Sequence, residues 1–276
     1  MNRSFPNWHP MHFVPPKSNA VIDIGCNVGE SLVAARALGV KRLYGIDINR
    51  YAVDAARQRF AGDEDCALAH GSADELPFDA NAADVAICTE VLEHLPSELR
   101  PSALREIHRV LRDDGTLIFT VPAAGMFAPL DPANLRFRFK SLYGFVSSRL
   151  GGPGRDRGYE GQKHGIVWHH HFTLDELHAL FEPYFEITTV RWRASLLAPI
   201  CDILTFPFAR LNRYDHPVYR ALVRVTNWDH SKDFGEAYAY NVLLVAKKRP
   251  TLSRPQPCGD SDAHEPTRTA SDRRVA

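Results

Sequence analysis

The chain has 276 residues, of which 45% are hydrophobic, and its 33 basic residues (Lys and Arg) equal its 33 acidic residues in number. This length is sufficient for one α/β core with insertions, and the hydrophobic content excludes a largely disordered protein. Because a basic excess is missing, we expect no nucleic-acid partner bound through phosphate contacts.

The five cysteines are scattered and form no CxxC pair, which argues against a disulfide framework or a zinc knuckle. Prolines interrupt the N-terminal residues, which lack the apolar stretch of a secretory signal. The least charged stretch, residues 194–209, contains Asp202 and two prolines. It falls short of the roughly 18–20 apolar residues that a membrane span needs. We therefore expect a cytoplasmic protein that does not span a membrane.

Apolar runs alternate with helical patterns along the chain. Strands are predicted at residues 20–24, 42–48, 66–70, 83–89, 116–121, 185–192 and 238–247. Helices are predicted at residues 31–38, 50–60, 102–111 and 174–181, with Asn49 as a cap and a Thr173–Glu176 capping box. Asp113, Asp114 and Gly115 predict a turn into the fifth strand. Alternating strands and helices favour a doubly wound, Rossmann-like α/β sheet covered on both faces.

The remaining segments do not follow this alternation. Residues 1–19 are interpreted as an N-terminal cap on one α/β domain at 20–248. Within that domain, we expect an insertion or lid at about 123–172 and an apolar insertion of short helices at about 193–230. Residues 249–276 are polar and rich in proline, which is typical of a disordered tail.

A glycine-rich loop follows the first predicted strand, with Gly25 and Gly29 four residues apart. A glycine directly after a strand lets the chain turn sharply and lets a ligand approach bare backbone. Asp47 ends the second predicted strand about 20 residues later, where it can accept hydrogen bonds from both hydroxyls of a ribose. The loop and the acid together predict an adenosine site at the carboxyl ends of two adjacent strands, whereas a lone glycine turn would often be merely structural.

Two acidic residues, Asp23 and Glu30, flank this loop. The nicotinamide fingerprint is GxGxxG, whose glycines suit a pyrophosphate, and here the spacing is GxxxG. Acids around the loop repel a pyrophosphate and suit a ligand that carries an ammonium and a sulfonium. The loop therefore favours S-adenosylmethionine over a nicotinamide dinucleotide.

The chain also resembles the class I S-adenosylmethionine-dependent methyltransferases, in particular the type 11 subgroup. Four pieces carry the resemblance, namely VIDIGCNVGE at 21–30, YGIDIN at 44–49, HGSADELPFDANAADVAICTEVLEHL at 70–95 and REIHRVLRDDGTLIFTVP at 105–122. It covers residues 20–122 well and continues more weakly through 169–187 and 239–248. The resemblance implies a seven-stranded sheet whose last strand is antiparallel to the rest, with S-adenosylmethionine as the cofactor.

The resemblance also implies which residues bind the cofactor. Those near the methionine part and ribose are Asp23, Gly25, Asn27, Gly29 and Asp47. Those near the adenine are Ile48, Ser72, Ala73 and Asp74, and those near the sulfonium are Thr89 and Glu90. Two positions depart from the family pattern, because glycine is usual at Asn27 and aspartate is frequent at Ser72. Asparagine tolerates a left-handed backbone, so the first departure need not break the loop.

Histidines are the candidate catalytic residues, because a hydroxyl acceptor must lose a proton during methyl transfer. His94 follows the fourth predicted strand, although together with Glu93 it could simply stabilise a short helix. His169, His170 and His171 form a second candidate group before the capped helix, of which His170 and His171 are the expected catalytic residues; a packing role is the alternative. Adjacent histidines on a loop indicate a metal site only weakly, so no metal site is predicted.

The acceptor is expected to be a small molecule, with O-methylation as the first hypothesis. Basic residues at 136–163 favour an anionic acceptor, although a solvated basic loop would look the same. Apolar residues at 195–225 could cover a partly apolar acceptor, which we prefer, or form a dimer face or a peripheral membrane contact. The alternatives are a cofactor-binding scaffold protein without catalysis and, with less support, a nicotinamide-dependent oxidoreductase.

Overall fold

The computed structural model describes residues 4–131, 169–195, 197–210 and 213–250. Most of the predicted lid, including its basic residues at 136–163, and nearly all of the predicted tail lie outside these described residues. The proposed division into cap, domain, insertions and tail therefore stays a prediction.

Seven strands form one sheet with the order β3-β2-β1-β4-β5-β7-β6. Their bounds are β1 Ala20–Ile24, β2 Arg42–Asp47, β3 Cys66–His70, β4 Ala83–Thr89, β5 Leu111–Pro122, β6 Phe185–Arg193 and β7 Asn241–Lys248. Strand β7 runs antiparallel to both of its neighbours, and the other observed pairings are parallel. The predicted Rossmann-like sheet of seven strands with an antiparallel last strand is thus confirmed.

Helices connect and cover the strands. Their bounds are α1 Glu30–Ala37, α2 Arg50–Arg59, α3 Arg100–Val110, α4 Leu174–Phe181, α5 Leu197–Arg210, α6 Pro217–His230 and α7 Gly235–Tyr238. Short 3-10 segments lie at Pro10–Phe13, Leu92–His94, Ser97–Leu99 and Ala128–Leu130. The predicted caps are confirmed, since Asn49 accepts from two N–H groups at the start of α2 and Thr173 forms its capping box with Glu176.

Hydrophobic cores lie on both faces of the sheet. On β1, Ile22 and Ile24 pack into the core beneath α3 and α4, whereas Val21 packs into the opposite core with α1 and the N-terminal residues Met11 and Phe13. Every residue of β1 except Asp23 is apolar, because a central parallel strand is buried on both sides.

The structure corrects the start of the fifth strand. The predicted turn at residues 113–115 lies inside β5, which begins at Leu111. Leu111 pairs with Ala83 and Thr116 pairs with Val85, so the intervening residues form an irregularity in the ladder, with a left-handed φ of 61° at Asp114. Turn-forming residues therefore produced a bulge, because the strand continues on both sides of them.

The structure also corrects the C-terminal third. The last strand begins at Asn241, and Tyr238, predicted to start it, ends the short helix α7. The apolar stretch predicted to contain short helices forms α5 and α6, each of 14 residues. Among the described residues, no helix has both the length and the apolar character that crossing a membrane requires.

One carboxylate joins three strands at the amino end of the sheet. Asp84 Oδ2 accepts hydrogen bonds from the N–H groups of Asn19 (2.7 Å) and Ala20 (2.8 Å), and Oδ1 pairs with Arg112 Nη1 at 2.6 Å. Burial alone would raise the pKa of Asp84, but the two N–H groups and the guanidinium lower it below the ordinary value. Asp84 thus ties the start of β1 to β4 and β5.

The variant Asp84→Asn is expected to lower the free energy of unfolding at pH 7 by about 1–3 kcal/mol, the usual contribution of hydrogen bonds to a charged group. Because the folded pKa lies below the unfolded value of about 3.9, this contribution is complete above the unfolded pKa and is lost as the pH falls through the folded pKa. Urea unfolding between pH 3 and 7 measures the difference. The exposed Asp79→Asn is the control, and a difference that does not shrink in acid would contradict the prediction.

Candidate active site

The glycine loop leaves the carboxyl end of β1 in a left-handed conformation. The φ angles of Gly25, Asn27 and Gly29 are 79°, 47° and 82°. The N–H groups of Gly25 and Cys26 both donate to the carbonyl of Ile46 at 2.8 and 3.0 Å, which fixes the loop against β2. Asparagine tolerates this backbone region better than most residues. The departure at Asn27 from the family glycine is therefore compatible with the loop.

Asp47 holds the loop from the end of β2. Its Oδ2 accepts from the N–H of Asn27 at 2.8 Å, and its Oδ1 accepts from the N–H of Asn49 at 2.7 Å. A carboxylate has about four acceptor positions, so further donors such as ribose hydroxyls can still bind. Asp47 therefore positions the loop while remaining able to accept from a ligand.

Asp23 is a buried carboxylate beneath this loop. It is 2% exposed, and within the described part of the chain its Oδ1 has no hydrogen-bond partner. Burial and the nearby charge of Asp47 raise its pKa to about 7, against a lowering by a hydrogen bond with Ser31. An ammonium group placed here would pair with the orphaned oxygen, so the residues present fit the amino-acid part of S-adenosylmethionine.

The predicted adenine-side residues lie where β2 and β3 end. Gly71 N–H donates to Asp47 O at 3.0 Å, which brings the segment after β3 beside the end of β2. In that segment Ser72 Oγ donates to Asp74 Oδ1, and Ala73 is buried. On the β2 side, the ring of His70 donates from Nε2 to Ile48 O at 3.0 Å. Ile48 and the segment 72–74 thus lie on neighbouring strand ends.

Thr89, the last residue of β4, and Glu90, which follows it, form the third part of the candidate site. Glu90 has a φ of 55°, and its Oε1 accepts from Thr120 Oγ1 (2.7 Å) and Asn241 Nδ2 (2.6 Å). The next residue, Val91, packs against the glycine loop so closely that a methyl group on Gly25 would lie 2.4 Å from its Cγ2. The end of β4 therefore contacts the loop directly.

A group of ionisable side chains continues from this strand end. Asp131 Oδ2 lies 2.5 Å from His169 Nδ1 and 3.3 Å from His171 Nε2, and its Oδ1 accepts from Tyr240 Oη at 3.0 Å. Hydrogen bonds join Phe172 to the backbone after β5, which places the histidine run beside β4 and β5. Three separate stretches of chain thus meet at Asp131.

Glu93 lies on the other side of His169 and is fully buried. Its Oε1 is 3.6 Å from His169 Nε2 and 4.0 Å from His94 Nε2. Burial and the charge of Glu90 raise the pKa of Glu93 to about 8. We call Glu93, His94 and His169 the acceptor-side cluster: Glu93 and His94 follow β4 just after Val91, and His169 meets them from the segment before α4.

The predicted histidines have different surroundings. His94 is half exposed beside Glu93, and His171 is nearly buried against Asp131. Burial lowers the pKa of His171 to about 4, so its ring is neutral at pH 7. His170 lies outside this group and faces Glu176, with Nε2 3.3 Å from Oε1.

Sequence reasoning misses three residues of this group. Glu93 enters only as a neighbour of His94, and Asp131 and Tyr240 do not enter at all, whereas His169 belongs to the candidate histidine run. The adjacency of Glu93 to His94 was a usable signal. No local pattern pointed to Asp131 or Tyr240, because each meets the histidines through the fold.

The close approach at Gly25 can be tested with a matched pair of variants. Gly25 and Gly39 both have left-handed φ angles, but a methyl group on Gly39 would meet nothing within 4 Å. Gly39→Ala therefore carries only the backbone cost of about 1–2 kcal/mol. Gly25→Ala should also displace Val91 and weaken binding of S-adenosylhomocysteine, the demethylated form of the implied cofactor, by roughly tenfold or more, a loss above 1.4 kcal/mol. Calorimetric titration measures both variants, and equal affinities would contradict the prediction.

Binding of S-adenosylhomocysteine should also depend on pH through Asp23. Because the pKa of this buried carboxyl is raised to about 7, the charged form that attracts an ammonium is lost as the pH falls. Between pH 7.5 and 6 the dissociation constant should rise by up to roughly eightfold, the change in the charged fraction for that pKa. Asp23→Asn should bind more weakly and show no such rise. A wild-type affinity that is constant over this range would contradict the assignment.

A known protein family matches the part of the chain that contains the glycine loop. Residues 22–119 match the type 11 methyltransferase domain. The demethylmenaquinone methyltransferase of Staphylococcus epidermidis is 33% identical over 104 residues, which are 37% of this chain and 42% of that protein. The corresponding enzyme of Staphylococcus aureus is 31% identical over the same shares. The chain thus matches less than half of the length of these curated relatives.

Solved structures share the fold over a larger part of the chain. An S-adenosylmethionine-dependent methyltransferase from Methanosarcina mazei has a TM-score of 0.52 and 19% identity, covering 86% of this chain and 94% of its own. Another, from Mesorhizobium loti, has a TM-score of 0.52 and 18% identity, covering 86% and 95%. Residues 22–119 thus match a type 11 methyltransferase domain, and the described chain shares its fold with S-adenosylmethionine-dependent methyltransferases of known structure.

Proposed function

We propose that the whole chain transfers the methyl group of S-adenosylmethionine to a hydroxyl oxygen of a small molecule. The observation that supports this proposal is the contact between Gly25 and Val91, because Val91 directly precedes the segment with Glu93 and His94 of the acceptor-side cluster. In such a transfer the acceptor atom must lie about 3 Å from the methyl carbon, in line with the departing sulfur. The half-exposed imidazole of His94, which follows Val91 in the chain, suits the removal of a proton from such an acceptor.

The cofactor residues are proposed to act as the resemblance implies. Asp23 would pair with the ammonium beside Gly25 and Gly29, and Asp47 would accept from the ribose hydroxyls while it holds Asn27. The adenine would lie between Ile48 and the segment Ser72, Ala73 and Asp74. Thr89 and Glu90 would lie near the sulfonium. The backbone geometry of the loop and the orphaned oxygen of Asp23 support these roles.

The acceptor-side cluster is proposed to prepare the hydroxyl for transfer. An oxygen acceptor must lose its proton, and a positioned side chain accelerates such steps by about 10²–10⁴-fold. His94 is the most exposed of the cluster and can contact a ligand directly. His171 is neutral but nearly buried, so it is proposed to act only through Asp131. His170, bonded to Glu176, is assigned no catalytic role.

The acceptor is proposed to be partly apolar. The named curated relatives act on demethylmenaquinone, and exposed apolar side chains line helix α5, namely Leu197, Ile200, Ile203 and Leu204. The start of this helix lies near the cluster, because Ala194 O accepts from the N–H of Tyr240, whose hydroxyl holds Asp131. An apolar helix connected to Asp131 in this way suits an acceptor with a hydrophobic body.

The test is a methyl-transfer assay in which purified protein and S-adenosylmethionine are incubated with ring hydroxyl compounds of increasing apolar size. Formation of S-adenosylhomocysteine that depends on the acceptor, with the new methyl group on oxygen by mass spectrometry and NMR, is expected. A methyl group on carbon or nitrogen would overturn O-methylation. Cofactor binding without turnover on any acceptor would favour the scaffold protein instead.

His94→Gln is expected to lower kcat by roughly 10²-fold, the lower end of the effect of a positioned proton acceptor. The measurement is steady-state kinetics on the best acceptor, with binding of S-adenosylhomocysteine unchanged. His170→Gln is the matched control, because it removes a neighbouring histidine that faces Glu176, and it should stay within about twofold of the wild type. Equal kcat values for the two variants would exclude the proposed role of His94.

A further inference from the structure

Glu93 is a carboxylate without the partners that burial demands. It is 0% exposed, and neither of its oxygens accepts a hydrogen bond from the described residues. A buried, unpaired carboxylate is costly, so such a group is normally protonated, paired with a cation or bound to a metal ion. Protonation of Glu93 or of the neighbouring His169 can meet this demand, and a metal ion that displaces those protons can meet it as well.

Two imidazole nitrogens converge on this carboxylate. Glu93 Oε1 lies 3.6 Å from His169 Nε2 and 4.0 Å from His94 Nε2, and ligand atoms of all three residues lie within 4.8 Å of one another. Ligand atoms of a tetrahedral Zn²⁺ site are about 3.3 Å apart, given metal–ligand bonds of about 2.0–2.2 Å. Side-chain shifts of under about 1 Å would therefore bring the three atoms to bonding distance of one ion.

His169 is oriented from its other nitrogen. Its Nδ1 lies 2.5 Å from Asp131 Oδ2, and Asp131 Oδ1 accepts from the hydroxyl of Tyr240 at 3.0 Å. The carboxylate at Nδ1 favours a proton there, so loss of the Nε2 proton on metal binding would leave Nε2, which faces Glu93, to bind the ion. Metal-binding histidines usually have this carboxylate–histidine arrangement.

We propose that Glu93, His94 and His169 bind one divalent transition-metal ion, of which Zn²⁺ matches the two nitrogens and one oxygen best. This proposal replaces the expectation, drawn from the sequence, that the protein has no metal site. Three protein ligands leave a position for a water molecule or an acceptor oxygen. The binding of the ion does not depend on the proposed function. Only the further step, in which a metal-bound acceptor hydroxyl loses its proton more readily, rests on that function.

A second combination, Asp131 with His169 and His171, has a similar spacing. We prefer the first set because Asp131 already accepts from Tyr240 and lies at hydrogen-bond distance from His169, whereas both oxygens of Glu93 lack such a partner. The two sets are distinguished by variants of His94 and His171, since each histidine belongs to one set only.

The experiment is a titration of tag-free, chelator-treated full-length protein with Co²⁺, whose visible absorption bands report nitrogen and oxygen ligands, followed by competition with Zn²⁺. One Co²⁺ per chain, displaced by Zn²⁺, is expected. His94→Ala should weaken Co²⁺ binding by roughly tenfold or more, since even outer-shell changes weaken metal sites 10–100-fold. Glu93→Gln should do the same, and His170→Ala and His171→Ala should retain the wild-type affinity.

Half of the His94 side chain is exposed, so His94→Ala should fold normally, which circular dichroism and thermal unfolding verify. Absence of Co²⁺ binding, or Co²⁺ binding that survives in His94→Ala, would overturn the proposed site. Loss of Co²⁺ binding only in His171→Ala would assign the ion to Asp131, His169 and His171 instead. Binding of S-adenosylhomocysteine is measured on the same samples. If it persists without Co²⁺ binding, only the metal site fails; if Co²⁺ binds and no acceptor is methylated, only the proposed function fails.

Discussion

The contact between Gly25 and Val91 is the constraint on which the site depends. Strands β1 and β4 are neighbours at the point where the strand order reverses, so the connections that leave them diverge and open a crevice. At Gly25 a methyl group would lie 2.4 Å from Val91 Cγ2, so only a residue without a side chain lets the two strand ends approach this closely. Glu93 and His94 follow Val91 within three residues, so this contact also brings their segment of chain toward the glycine loop.

Negative charge is concentrated along this crevice. Burial and Asp47 raise the pKa of Asp23, and burial and Glu90 raise the pKa of Glu93. Each of these carboxyl groups is thus held partly in its neutral form until a cation approaches. A ligand that carries an ammonium and a sulfonium benefits from this field, whereas a pyrophosphate would be repelled. The structure therefore gives a physical basis for the preference that the acids around the loop predicted.

The geometry of the glycine loop and of Asp47 could be predicted from the sequence because its determinants are local. A short strand, a glycine loop and an acid at the next strand end need only the spacing between Gly25 and Asp47 to come together in a parallel sheet. The strands and the caps at Asn49 and Thr173 were predictable for the same reason. Local signals failed at Asp114, where turn residues form a bulge inside β5, because the pairing with β4 resumes on the far side.

The acceptor half could not be predicted in the same way, because no single stretch of chain contains it. Asp131 follows β5, the histidine run precedes α4, and Tyr240 precedes β7, and only the folded sheet brings them together. A run of three consecutive histidines also does not indicate which of their side chains lie on the same side of the chain. His169 and His171 both contact Asp131, whereas His170 between them faces Glu176, as alternation along an extended segment requires. The position of Asp131 therefore decides which histidines can share a site. His169, which lies between Asp131 and Glu93, links these two buried carboxylates.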